Sequence, residues 1–234
     1  MGGRKIRLAG LQKLTLIDYP NKMACIVFTI GCNFKCPFCH NASLVSGTDD
    51  YIDEESVLDF LKKRKGILEG VVITGGEPLL NGDIADFIRK IKEIGYPVKL
   101  DTNGTNPKLL KELVNNKLVD YVAMDIKNSL DNYIKATGDV KLNIDAINES
   151  IDFLLEGTVD YEFRTTVVNG IHTTQDIVDI AKRIPNAERY YLQQYKPSDE
   201  NLSPQGLSEF SKEEMNAFKT EASKYTNNVN LRGL

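Results

Sequence analysis

The stretch ACIVFTIGCNFKCPFCHN, residues 24–41, joins a short apolar run to a loop that holds three of the chain's four cysteines. The run from Ala24 to Ile30 is nearly continuous in apolar and β-branched residues, which is typical of a strand buried on both faces of a parallel sheet. Cys25 lies inside this run, and we interpret it as a small core residue. The stretch therefore predicts a buried strand that ends in a cysteine loop.

Strand and helix signals alternate through the rest of the chain. In order, after the first strand, they predict helix 53–65, strand 71–74, helix 82–94, strand 98–101, helix 107–117, strand 119–126, helix 143–156, strand 161–168, helix 173–183, strand 188–195 and helix 211–224. Six β–α units predict an α/β fold with a parallel sheet and outer helices, either open or curled into a barrel. Six units are few for a closed eightfold barrel.

Length and composition favour one globular domain over residues 1–234, because 41% hydrophobic content is enough for a substantial core. We expect residues 1–23 to be an N-terminal extension that ends in a turn at 19–22. Residues 24–200 are the predicted β/α core, and residues 201–234 the C-terminal helix and tail.

Charge and hydropathy exclude several classes of partner. A net charge of −4 gives no general attraction to nucleic acid or to anionic membranes. The basic run 62–65 falls at the end of a predicted helix, where cations complement the helix dipole. The sequence contains no apolar run long enough to span a bilayer, no secretory signal and no disulfide framework, so we expect a cytoplasmic protein.

Cys32, Cys36 and Cys39 stand at a four- and then a three-residue step. Thiolates at this density favour a soft metal centre: an iron–sulfur cluster, zinc or Cu(I). A closed zinc site requires four protein ligands. Three cysteines on an iron–sulfur cluster leave one iron open to a small ligand. We therefore favour an iron–sulfur cluster over zinc, and either metal over inert buried thiols.

Polar or glycine-rich motifs follow the other predicted strands, where the loops of a parallel α/β fold form its functional face. They are Gly75-Gly76-Glu77-Pro78, Asp101-Thr102-Asn103-Gly104, Asp125-Ile126-Lys127, Arg164 within its strand, and Gln194-Tyr195-Lys196. Each motif also has a plain interpretation, since glycine pairs and aspartates form tight turns and the cations could simply pair with the acids. For His172 we favour a turn role, and His40 is either a ligand or a neighbour of the cysteines.

The set of motifs in this order resembles the radical S-adenosylmethionine superfamily, over residues 24 to about 200. Within it the chain is similar to the glycyl-radical-enzyme activases, and most of all to the activating proteins of anaerobic ribonucleoside-triphosphate reductase. The narrower likeness rests on Asp18-Tyr19-Pro20, CPFCHN, the Asp101 and Asp125 motifs and Leu231-Arg232-Gly233-Leu234. The resemblance implies a partial (β/α)6 TIM-like barrel.

The resemblance also implies the composition of the site. Cys32, Cys36 and Cys39 would bind a [4Fe–4S] cluster whose open iron takes the amino and carboxylate groups of S-adenosylmethionine. The other implied cofactor contacts are Phe38, His40, Gly75, Gly76, Glu77, Asp101, Asp125, Lys127, Arg164 and Lys196. Asp101, Thr102 and Asp125 match a monovalent-cation site, and Lys196 stands where some activases have a histidine.

The implied activity is reductive cleavage of S-adenosylmethionine to a radical that takes a hydrogen atom from a glycine of a partner enzyme, with flavodoxin or ferredoxin as the electron donor. Anaerobic ribonucleotide reductase is the expected partner. The alternatives are a radical enzyme acting on a small molecule, in the manner of 7-carboxy-7-deazaguanine synthase, and a non-enzymatic metal-binding or electron-transfer module.

Overall fold

The computed structural model describes residues 6–47, 51–138, 140–198 and 200–234. The first five residues of the predicted extension, and Asp199 in the predicted loop 196–206, lie outside the described residues.

Eight strands and eight α-helices are present in these ranges. The strands are β1 (Leu8–Thr15), β2 (Ala24–Thr29), β3 (Gly70–Gly75), β4 (Val98–Thr102), β5 (Tyr121–Asp125), β6 (Asp160–Val167), β7 (Tyr190–Gln194) and β8 (Val229–Arg232). The helices are α1 (Ala42–Ser46), α2 (Glu54–Lys63), α3 (Ile84–Ile94), α4 (Pro107–Asn115), α5 (Tyr133–Thr137), α6 (Ile144–Leu155), α7 (Thr174–Arg183) and α8 (Lys212–Ala222), with 3-10 turns at Pro78–Leu80 and Leu130–Asn132.

The six predicted strands and six predicted helices are confirmed, with their ends within two residues of the expected positions. The start and stop signals act as expected: Asp53 caps α2 by accepting a hydrogen bond from the Ser56 amide, and α3 ends at Gly95, whose φ is +102°. Thr173 caps α7 through a reciprocal capping box with Asp176. Local capping chemistry therefore sets these boundaries.

Two strands were missed by the sequence analysis. The predicted N-terminal extension contains β1, which pairs antiparallel with β2, and the predicted C-terminal tail contains β8, which is parallel to β7. Register shifts interrupt β1 between Leu8 and Gly10 and between Gln12 and Thr15, so its apolar residues do not alternate in the usual way. The turn after β1 is confirmed by a hydrogen bond from the Lys22 amide to the Tyr19 carbonyl, 3.2 Å.

The chain divides into two compact units. The first comprises Met1–Asn33, Ser43–Val122 and Thr158–Asp160; in it β1 is antiparallel to β2, and β2, β3 and β4 are parallel neighbours. The second comprises Phe34–Ala42, Ala123–Gly157 and Tyr161–Leu234; in it β6, β7 and β8 are parallel neighbours. Strand β5 begins in the first unit and ends in the second.

The predicted character of the first parallel strand is confirmed, since β2 is buried at nearly every residue. Cys25 is fully buried within it, as expected for a core residue, and burial raises the pKa of its thiol to about 12. No helix in the described ranges is both long enough and apolar enough to cross a membrane.

In the second unit, a charged contact joins β8 to β6 and β7. The guanidinium of Arg232 makes two hydrogen bonds to the carboxylate of Glu162, at 2.7 and 2.9 Å, and lies 3.4 Å from the centre of the Tyr191 ring. Glu162 is fully buried, so the loss of this bidentate partner would be costly.

Replacing Arg232 by alanine is expected to lower the free energy of unfolding by about 2–3 kcal/mol, because it removes the bidentate partner of a buried carboxylate and the cation on Tyr191. Urea denaturation followed by circular dichroism measures the change. Lys224→Ala, which removes an exposed pair with Glu221 on the surface, is the control and is expected to have little effect. Equal effects of the two substitutions would contradict the assignment.

Candidate functional site

The cysteine loop begins directly after β2. None of the four cysteines forms a disulfide. Cys32 belongs to the first unit, whereas Cys36 and Cys39 belong to the second, where the Cys39 amide donates to the Cys36 carbonyl at 3.0 Å. In the described ranges no three Cys, His, Asp or Glu side chains are already grouped as metal ligands would be. Convergence of the three thiols on a cluster therefore stays a prediction.

The glycine pair after β3 packs against the start of the cysteine loop. The Gly76 amide donates to the Thr29 carbonyl at 3.0 Å, and the Glu77 amide donates to the Gly31 carbonyl at 2.8 Å. A Cβ on Gly76 would lie 2.0 Å from the Gly31 oxygen, and a Cβ on Gly75 would lie 2.4 Å from the Thr29 backbone. Glycine is required here because another part of the backbone approaches it. A contact of this pair with a cofactor stays a prediction.

Glu77 links the ends of β3 and β4. Its carboxylate is buried and accepts hydrogen bonds from the Leu79 amide (3.0 Å), the Thr102 hydroxyl (2.8 Å) and the Asn103 amide (2.7 Å). The structure thus brings together two predicted site residues, Glu77 and Thr102. The buried Glu77 carboxylate thus connects the loop after β3 to the loop after β4.

A polar network extends from β4 to the residue that follows Cys32. The side-chain Nδ2 of Asn103 donates to Asn33 Oδ1, and Asn33 Nδ2 in turn donates to the Thr105 hydroxyl, both at 2.9 Å. Asp101 lies beside this network and forms an ion pair with the buried Lys99. These contacts hold the loop after β4 next to the first part of the cysteine loop.

In the second unit, Asp125, Lys127 and Arg164 form one charged cluster. Asp125 accepts from Arg164 Nε at 2.8 Å and from Lys127 Nζ at 2.9 Å. Burial alone would raise the pKa of the Asp125 carboxyl, but the charges of Arg164 and Lys127 outweigh it and hold the pKa well below its usual range. Burial likewise acts against the charge of Lys127, and the nearby Asp125 outweighs it and raises the pKa of the ammonium. The side chains of Asp125, Lys127 and Arg164 therefore stay ionised at any working pH.

Two of the three proposed ligands of the predicted monovalent cation already contact positive side chains: Asp101 pairs with Lys99, and Asp125 pairs with Lys127 and Arg164. The Thr102 hydroxyl donates its hydrogen to Glu77, which leaves its oxygen able to accept. A cation at Asp125 would be repelled by the positive side chains already on that carboxylate.

His172 has a larger role than the predicted turn. Its ring is buried, with Nδ1 accepting from the Val168 amide at 3.1 Å and Nε2 lying 2.8 Å from the Lys127 carbonyl. The ring also meets the edge of Phe38, with ring centres 6.4 Å apart. His172 thus fixes the backbone at Lys127, and burial lowers the pKa of its imidazole.

Sequence reasoning missed Asn201, which holds the cysteine loop from the segment after β7. Asn201 Nδ2 donates to the Phe38 carbonyl and to the Tyr195 hydroxyl, both at 3.1 Å, and the Ser203 amide donates to the Pro37 carbonyl at 2.9 Å. The ring of Tyr195 also lies beside that of His40, with centres 6.1 Å apart. An asparagine in a loop of serine and proline indicates only a turn, so no signal in the sequence marked it.

Lys196, in the loop after β7, is exposed. Its ammonium lies 3.4 Å from the Glu209 carboxylate. Recognition of a cofactor by Lys196 stays a prediction.

The donor set suits a [4Fe–4S] cluster. Three thiols lie within eight residues, and the fourth cysteine, Cys25, is fully buried in β2 with a thiol whose pKa is raised to about 12 by burial. The loop therefore offers three thiolates, which leaves one iron of such a cluster for a small ligand.

Comparison with known proteins identifies the family. The sequence pattern of the Radical SAM superfamily matches residues 26–184, which run from within β2 through the cysteine loop to the end of α7. The chain belongs to the Radical SAM superfamily.

Relatives of this radical SAM chain narrow the group. A candidate glycyl-radical enzyme activating enzyme of Methanocaldococcus jannaschii is 37% identical over 236 residues, which cover 97% of this chain and 96% of that protein. The pyruvate formate-lyase-activating enzyme of Clostridium pasteurianum is 27% identical over 199 residues, covering 81% and 82%. The chain is therefore a radical SAM enzyme of the glycyl-radical-enzyme activating group.

A solved structure supports the fold of this radical SAM enzyme. Streptococcus suis SuiB bound to S-adenosylmethionine aligns with a TM-score of 0.67 at 16% identity, covering 87% of this chain and 48% of that one. The predicted fold class, α/β with a mostly parallel sheet and outer helices, is confirmed.

Replacing Glu77 by glutamine is expected to lower the free energy of unfolding by about 2–3 kcal/mol, because the new amide group points hydrogens at donors that need an acceptor. Urea denaturation measures the free energy of unfolding. The control is Glu69→Gln, since Glu69 is exposed and accepts a hydrogen bond from the Met23 amide. A Glu77→Gln variant as stable as this control would show that the three contacts do not brace the loops.

The buried His172 predicts a loss of stability in mild acid. Because the folded-state pKa lies below the ordinary value of 6.5, the unfolded chain takes up the proton first. The contribution of neutral His172 is thus complete above about pH 6.5 and is lost as the pH falls below it, by up to about 1 kcal/mol per pH unit.

Urea denaturation between about pH 7.5 and about pH 5 tests this expectation, with His172→Asn as the comparison. The adjacent Asp176 keeps its charge in this range: burial acts to raise its pKa, but hydrogen bonds from Ser129, Thr173 and Asn132 lower it to about 2. The pH dependence should be weaker in the variant. Identical slopes for both proteins would exclude His172 as its source.

Proposed function

We propose that Cys32, Cys36 and Cys39 hold a [4Fe–4S] cluster, that the open iron takes S-adenosylmethionine, and that the enzyme forms a glycyl radical on a partner protein. The observation that carries the proposal is the position of the cysteine loop, directly after β2 and inside the region that matches the superfamily. The relative that is 37% identical across nearly the whole chain supports the activating role.

When bound, the cluster and S-adenosylmethionine supply the reductive carbon–sulfur cleavage and the 5′-deoxyadenosyl radical that abstracts hydrogen from glycine. The chain supplies charge, position and exclusion of water. Lys127 and Arg164 stay cationic and suit the carboxylate of the methionine moiety, and Asp125 keeps them in place.

The remaining predicted contacts complete the proposed cofactor site. Phe38 and His40 provide the adenine side, and Gly75, Gly76 and Glu77 the amino end of the methionine. Lys196 is proposed for the ribose or adenine, in the place of the family histidine. A monovalent cation at Asp101, Thr102 and Asp125 stays a prediction, and positive side chains already contact two of these residues.

Anaerobic ribonucleoside-triphosphate reductase is the partner that we propose, with flavodoxin or ferredoxin as the electron donor in the cytoplasm. The motifs around Asp18, Asp101 and Asp125 and at Leu231 to Leu234 support this choice.

Electron paramagnetic resonance of the anaerobically reconstituted, reduced enzyme tests the proposal. Mixed with S-adenosylmethionine and candidate partners, the wild-type enzyme should give a glycyl radical with the reductase and little with pyruvate formate-lyase. A signal only with the lyase would keep the activating role and overturn the choice of partner.

Two variants separate the role of the loop from that of cysteine in general. Cys36→Ala should lose the brown cluster and at least about 100-fold of the cleavage activity, since a ligand is missing. The control Cys25→Ala should keep both, because Cys25 is a core residue. A product formed from a small molecule without any protein partner would favour a radical enzyme that acts on small molecules. A colourless, zinc-loaded protein would overturn both this alternative and the proposed activating enzyme.

A further inference from the structure

Three residues from β7's C-terminal end onward hold the backbone between two predicted cluster ligands. They are Tyr195, Asn201 and Ser203, and we call them the Asn201 clamp. Between Cys36 and Cys39 lie only Pro37 and Phe38, and the clamp contacts the carbonyls of both: Ser203 donates to Pro37, and Asn201 to Phe38.

The turn from Cys36 to Cys39 is otherwise held by few described contacts of its own. Its internal hydrogen bond runs from the Cys39 amide to the Cys36 carbonyl, 3.0 Å, and Pro37 has no amide hydrogen to donate. The two middle carbonyls point to donors that come from elsewhere in the second unit. The path of the backbone between the two thiols is thus set from outside the turn.

Asn201 makes these contacts from a buried position. Removing a buried donor leaves the Phe38 carbonyl without this partner, which costs more than the loss of an exposed hydrogen bond. The amide orientation is decided by the Phe38 carbonyl, which requires Nδ2 on that side.

We propose that Asn201 is a positioning residue that fixes the relative placement of the Cys36 and Cys39 thiols before any cluster binds. The inference rests on the proposed function only in taking these thiols as ligands. It adds a determinant from the segment after β7, which lies beyond residues 26–184. Its direct effect is on the shape of the empty loop, which can be measured without cluster, cofactor or partner.

The test measures the reaction of each thiol with 4,4′-dithiodipyridine in the metal-free, reduced protein, by mass spectrometry of peptides. In Asn201→Ala the rates at Cys36 and Cys39 should rise about five- to tenfold, as expected when one buried hydrogen bond no longer closes a segment. Cys32 belongs to the first unit and Cys25 to the core of β2, and their rates should stay within about twofold of wild type.

Asn143→Ala is the matched control for stability. Asn143 caps α6 by accepting a hydrogen bond from the Ala146 amide at 3.2 Å, so its loss weakens the second unit without touching the cysteine loop. Increased rates at Cys36 and Cys39 in Asn201→Ala alone support the proposal. Equal rates in both variants would assign the effect to general destabilisation and overturn it.

Asn201→Asp tests whether the hydrogen bond to the Phe38 carbonyl, and not the packing of the side chain, positions the loop. A protonated carboxyl can donate to the Phe38 carbonyl, and a carboxylate cannot. The ratio of variant to wild-type rates at Cys39 should therefore fall from about fivefold near pH 8.5 towards unity near pH 5. A ratio independent of pH would count against the positioning role.

The failure of this inference is distinct from failure of the proposed function. A wild-type protein that forms no cluster would refute the proposed function, yet the thiol rates would still decide the role of Asn201. Unchanged thiol rates in Asn201→Ala would refute the positioning role, while cluster formation and glycyl-radical activity could still be intact.

Discussion

The close backbone contact between the turn after β3 and the first residues of the cysteine loop is the constraint on which the first half of the site depends. Gly76 and Gly31 approach so closely that no side chain fits between them, and the amides of Gly76 and Glu77 donate to carbonyls of the Thr29–Gly31 segment. Glu77 then ties this turn to the end of β4. The main-chain contacts require glycine, because a Cβ would not fit between the two backbones. The link to β4 requires the buried carboxylate of Glu77.

Charge in the described site is balanced locally. Lys99 faces Asp101, and Asp125 faces Lys127 and Arg164, so each of these five ions has a counter-ion within contact distance. Their mutual attraction works against the cost of removing them from water, and it is stronger in these partly buried positions than in bulk water. The positions of the charged groups are consequently fixed before a cofactor arrives, and an anionic ligand would meet donors that need little rearrangement.

Periodicity and capping signals predicted the β–α alternation well, because β2 is apolar throughout and the helix ends at Asp53, Gly95 and Thr173 carry strong local signals. The irregular register of β1 and the shortness of β8 hid those two strands. Motif order was enough to predict the family, while the cofactor contacts of the candidate site residues stay predictions. The roles of Glu77, His172 and Asn201 depend on contacts between residues far apart in the chain, which a single sequence does not encode locally.

Cys25 has a consequence for how the protein responds to air. Burial raises the pKa of the Cys25 thiol and so disfavours the thiolate, which is the form that oxidants attack. Cysteine oxidation is thereby directed towards Cys32, Cys36 and Cys39, whose products at the sulfenate or disulfide stage are reversible by thiols. Early damage falls on a loop that can be reduced again, while the hydrophobic interior around β2 stays chemically intact.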